Sequence, residues 1–117
     1  MEADGLEQLR RRLRAFAKDR EWEQFHSPKN LSMALIAEAA ELVEHFQWLT
    51  QKESRKLADE ERQRVALELA DILIYLIRMA DQLGLDLMEA VNEKIDINEE
   101  KYPKERVKGS SKKYTEY

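Results

Sequence analysis

Cysteine is absent, and that alone removes a disulfide framework, a thiolate zinc site and a thiol nucleophile. Turn formers are scarce too: the 117 residues contain two prolines and three glycines. A sheet protein built on tight turns needs more of both, so this scarcity, beside 43% apolar and 38% charged residues, points to an all-α chain of long helices. No apolar run is long enough to cross a bilayer, because the longest, Val65 to Ala80, is interrupted by Glu68, Asp71 and Arg78. The start, MEADGLEQLRRRLRAF, lacks the apolar centre of a signal peptide, so the cytoplasm is the expected compartment and no membrane partner is expected. A basic middle is also missing: the net charge is −4, which argues against long nucleic acid as a partner.

What is present reads as one domain, residues 1–117, large enough for a core but too small to enclose a deep cavity unaided. Leu6, Leu9, Leu13, Phe16 and Ala17 recur at helical spacing among arginines that should face water. Ser27-Pro28 is a cap and first-turn signal for a second helix, expected from about Pro28 to Leu49. A polar connector, Thr50 to Asp59, leads to a third helix from about Glu60 to Leu83, with Asp59 as its expected cap and Gly84 as its terminator. A fourth starts at Leu85-Asp86 and reaches about Lys101, where Tyr102-Pro103 stops it. Residues 104–117 read as a basic arm, extended or partly disordered. The sum is a four-helix bundle with apolar surface left over, which two or more copies would bury between them.

Two acidic motifs carry the chemistry. Glu38-x-x-Glu41 and Glu68-x-x-Asp71 each place two carboxylates on one helical face. On a helical wheel Glu68, Asp71, Tyr75, Arg78 and Gln82 form one narrow stripe of a helix otherwise apolar nearly all round, so the helix should be buried and its acids should face a cleft. Glu38, Glu41, His45 and Trp48 form a similar stripe on the second helix. Four carboxylates converging between helices repel one another and lose hydration unless a multivalent cation neutralises them. Hard oxygen donors select Mg²⁺, with Mn²⁺ able to substitute. A single such motif is most often a solvated helix face; two on adjacent apolar helices are less easily dismissed.

In this order and spacing the motifs resemble those of the MazG-like all-α nucleoside triphosphate pyrophosphohydrolases. REWEQFHSPKNL, the stretch ending HFQWL, LELADILIYLI, KIDINEEKYP and GSSKKYTEY together resemble the dCTP pyrophosphatase branch, over roughly residues 9 to 117. The resemblance implies that Glu38, Glu41, Glu68 and Asp71 bind Mg²⁺ bridging the triphosphate. It also implies that water attacks the α-phosphorus and releases pyrophosphate, the substrate being dCTP or a modified form such as 5-methyl-dCTP. Glu41 is the preferred candidate for orienting that water.

Lys94, Asn98 and Lys101, at i, i+4 and i+7, give one helix face two cations and an amide fit for phosphates; the family commonly has Arg where Lys101 stands. Trp22, His26 and Trp48 can stack on or hydrogen-bond to a base, although tryptophans in a small helical domain are more often core. The resemblance adds Tyr75 and Tyr102 around the nucleotide and has the tail, with Lys113 and Tyr114, fold over it from a neighbouring subunit. His45, one turn beyond Glu41, reads as a support for the carboxylates or a plain helix residue. The resemblance also implies a homodimer or a tetramer made of two, and a tetramer is expected here. Two other readings compete. A di-iron carboxylate bundle needs Glu-x-x-His on two helices, and neither acidic motif ends in histidine. A non-catalytic helical scaffold predicts no metal dependence.

Overall fold

The structure, a computed structural model, describes residues 5–109. Their regular elements are all helices, with no strand among them. The chain forms two compact units, the first ending at Leu85 and the second beginning at Asp86.

In the first unit α1 (Gly5–Asp19) ends in a reversal closed by two backbone bonds, Trp22 N–H to Ala17 O at 2.9 Å and Glu21 N–H to Lys18 O at 3.0 Å. That pairing requires a left-handed residue, and Glu21 adopts it with φ +55°. One 3₁₀ turn follows (Glu23–Phe25), then α2 (Pro28–Glu44), whose first turn is capped by the Ser27 hydroxyl accepting from Asn30 N–H at 3.1 Å. This cap holds the chain extended at Ser27, immediately after His26.

The second helix is shorter than its periodicity predicts. Backbone bonds to the third preceding residue tighten the chain at His45 and Phe46, and Thr50 starts a new helix, α3 (Gln51–Ser54). Thr50 and Glu53 form a reciprocal capping box there, so the expected connector contains a helical turn and Trp48 stands off the helix. The long helix α4 (Asp59–Gln82) begins with Ala58 as its cap residue, so Asp59 lies inside the first turn. There it joins Glu60 and Glu61 in complementing the helix dipole. Gly84, at φ +65°, terminates α4 as expected, through Leu85 N–H to Ala80 O at 2.9 Å and Gly84 N–H to Asp81 O at 3.2 Å.

α4 packs on α2 and on α1, and Ala17, Leu31, Val65, Ile77 and Ala80 are the buried apolar residues. It is not buried all round: Leu67 is 60% exposed, and Leu69, Leu73, Ile74 and Leu76 are exposed too. Two packed neighbours cover only part of a helix's circumference. The α1 arginines are also not simply solvated. Arg10 and Arg14 both bind Asp81 of α4, and Arg10 and Arg11 bind Glu7.

The second unit contains α5 (Leu87–Lys101), which is capped by the Asp86 side chain on Glu89 N–H at 3.0 Å and stops at Tyr102 as predicted. The described part of the arm forms a short helix, α6 (Lys104–Val107), rather than an extended segment.

Candidate metal and nucleotide site

The α2–α4 pairing brings Glu38, Glu41 and Glu68 together, with one oxygen from each lying within 4.8 Å of the others. Glu38 Oε2 and Glu68 Oε2 are buried without a hydrogen-bond partner among the described residues. Burial, then the hydrogen bond and repulsion from Glu41, then Glu68 and the charge of Asp71, push the Glu38 carboxyl up to about 7. Asp71, exposed one turn beyond Glu68, is not among the three converging oxygens but is close enough to act on Glu38. Buried acceptors without donors are costly, and no basic side chain among the described residues supplies them. A hard divalent cation suits this all-oxygen donor set on chemical grounds.

His45 is tied to the same group. Its Nδ1 is hydrogen-bonded to Glu61 Oε1 at 2.5 Å, and its Nε2 lies 3.9 Å from Glu68 Oε1. The imidazole, in turn, holds Glu61 below the usual carboxylate range. The sequence reading did not single out Glu61, although its position two helical turns before Glu68 on one face was a signal for it.

Beside the acids lies a cavity of about 550 Å³ walled by α1, α4 and the 22–26 segment. Trp22, His26, Asp71, Tyr75 and Arg78 line it, so Asp71 borders both cavity and carboxylates. Trp22 stands edge-on to Phe16 at 5.7 Å between ring centres and to His26 at 6.4 Å. The α1 reversal at Glu21 is what brings Trp22 to this position. Arg78, named in the helical stripe but not as a site residue, is 3% exposed. Its Nε–H donates to His26 Nδ1 at 3.3 Å, its Nη1–H to Asp81 Oδ2 at 3.0 Å, and Nη2 has no partner among the described residues. Burial, then the charge of Arg78, lowers the His26 pKa from its ordinary value.

Trp22, His26 and Tyr75 thus meet at one cavity, whereas Trp48 is 87% exposed and is not among its lining residues. Lys94, Asn98 and Lys101 are exposed on α5 at the predicted spacing, and Tyr102 caps that helix. Lys113 and Tyr114 lie outside the described residues.

Residues 34–117 match the family model described as MazG-like. The human protein named dCTP pyrophosphatase 1 is 48% identical over 113 residues, 95% of this chain, and its counterpart from Bos taurus is 47% identical. The chain spans 66% of the length of the human relative. A solved structure titled as a pyrophosphatase from Archaeoglobus fulgidus superposes with a TM-score of 0.82 at 38% identity, covering 88% of this chain and 96% of that one.

Proposed function

Since the chain belongs to the MazG-like family, we propose that it is a metal-dependent pyrophosphohydrolase converting a dCTP-type nucleotide and water to the monophosphate and pyrophosphate. The observation that carries this reading is the cluster of Glu38, Glu41 and Glu68, with two buried unpaired oxygens, next to a cavity that shares Asp71 with it. Relatives named dCTP pyrophosphatase support the substrate class.

Glu38, Glu41, Glu68 and Asp71 would hold Mg²⁺, or Mn²⁺ in its place. A bound divalent cation neutralises triphosphate oxygens and makes water a stronger nucleophile near neutral pH. The remaining steps belong to the side chains. Glu41, the exposed member of the cluster, accepts the proton of the water that attacks the α-phosphorus, as the α-phosphoryl bond to pyrophosphate breaks. Trp22 and Tyr75 hold the base by its faces, with His26 at the cavity wall. Lys94, Asn98 and Lys101 bind phosphate oxygens, and Trp48, Tyr102, Lys113 and Tyr114 complete the nucleotide contacts. The active assembly is a homo-oligomer, a tetramer in our reading, working on the cytoplasmic nucleotide pool, where its use is removal of dCTP or of modified forms such as 5-methyl-dCTP.

The test is pyrophosphate release from a panel of canonical and base-modified triphosphates, with Mg²⁺ and with chelator, on wild type and Glu68→Gln. Mg²⁺-dependent release from dCTP or 5-methyl-dCTP is expected, lowered by about 10²-fold or more in a folded Glu68→Gln protein. Turnover of no triphosphate would leave the scaffold reading standing.

A further inference from the structure

Arg78 is a buried charged side chain, and it lies at the wall of the cavity rather than in the acidic cluster. A guanidinium has five N–H donors and no acceptor, so its bond to His26 runs one way only. Nδ1 accepts from Arg78 Nε–H, and the proton of the neutral imidazole therefore sits on Nε2. Asp81 satisfies Nη1, while Nη2 keeps its hydrogens unmatched inside the protein. Asp81 is shared among Arg78, Arg10 and Arg14, so it cannot also neutralise what Arg78 offers elsewhere. The linked pair thus presents donors, and a ligand that supplies acceptors would relieve them.

Resting on the hydrolase reading above, we propose that Arg78 and His26 act together as a donor pair that selects a base with two adjacent acceptors on its edge. Cytosine and its 5-substituted forms present O2 and N3 side by side as acceptors. Uracil and thymine place an N3–H donor between their two carbonyls, which opposes either donor of the pair. Guanine also offers adjacent acceptors, O6 and N7, and serves as the purine control. Trp22 and Tyr75 contact the base by its faces and tolerate any ring; the pair sets which edge is accepted.

Steady-state turnover of dCTP, 3-deaza-dCTP, dUTP and dGTP tests this on the wild type first. Replacing N3 by C–H removes one acceptor while keeping ring size, and at least a tenfold lower kcat/KM for 3-deaza-dCTP than for dCTP is expected, carried by KM. In Arg78→Met, the preference for dCTP over both dUTP and 3-deaza-dCTP should shrink by a similar factor, with Arg78→Lys between the two. A purely structural Arg78 would lower all substrates by one common factor, and that outcome overturns the proposal. Equal turnover of dCTP and 3-deaza-dCTP by wild type overturns it as well, whether or not the Arg78 variants fold. A wild type inactive on every triphosphate instead overturns the hydrolase reading on which the pair depends.

Discussion

Asp81 shows how one side chain can organise a wall of the molecule. It accepts from Arg10, Arg14 and Arg78, and its side chain is 6% exposed. The hydrogen bond from Arg14 leads in holding its carboxyl below the ordinary value of 3.8, with Arg10 adding to it against the cost of burial. A carboxylate depressed in the folded state contributes its stabilisation in full above its unfolded pKa and loses it as pH falls through the folded value. Wild type should therefore lose stability as pH drops below about 3.8, and Asp81→Asn should show a flatter acid limb in urea titrations. At pH 7 the same variant should be about 3 kcal/mol less stable, because Arg78 is left buried without its counter-charge. None of this was readable from residue 81 alone. The sequence placed Arg10 and Arg14 on a solvated face because their partner is about 70 positions away.

At the scale of the element, the helix boundaries divide into those with a local chemical cause and those without one. Ser27-Pro28, Gly84 and Tyr102-Pro103 carry their signals in the residues themselves, and each bounds a helix where the signal stands. The early end of α2 was missed although Thr50-x-x-Glu53 is also a local signal; the apolar period running on through Phe46 and Leu49 masked it. Glu21 is the opposite case, a side-chain-bearing residue in the left-handed turn that delivers Trp22 to the cavity. Glu21→Gly should raise stability by about 1 kcal/mol, visible as a higher thermal midpoint, because glycine meets no Cβ penalty at φ +55°. Gly84→Ala should lower it by a similar amount for the converse reason.

At the scale of the whole molecule the telling quantity is the apolar surface left exposed among the described residues. Ile36 is 67% exposed on α2, and Leu67 and Leu69 flank Glu68 in the exposed part of α4. Exposed apolar area on this scale is characteristic of surfaces that bind further protein, and a second copy of the chain is the partner proposed above. Sedimentation of wild type should return a dimer or a tetramer. Leu69→Glu should shift it towards monomer and lower its melting temperature, whereas a wild-type monomer would remove the oligomer from the proposed function.

The sequence by itself determined the helical class, the two acidic motifs with their one-face spacing, and the aromatic segment before α2, because helical period and capping chemistry are local. Only the tertiary structure decided which of those groups meet. Packing of α4 on α2 brought Glu38, Glu41 and Glu68 within reach of one another and left two of their oxygens unpaired. It also linked His45 to Glu61, while packing of α1 on α4 joined Arg10 and Arg14 to Asp81, and the segment before α2 set His26 against Arg78 at the cavity as Trp48 stayed in the open. The Arg78–Asp81 pair is three residues apart on α4, but these contacts between elements join residues 16 to 71 positions apart, fixed by which helix faces pack together, and no local pattern encodes them.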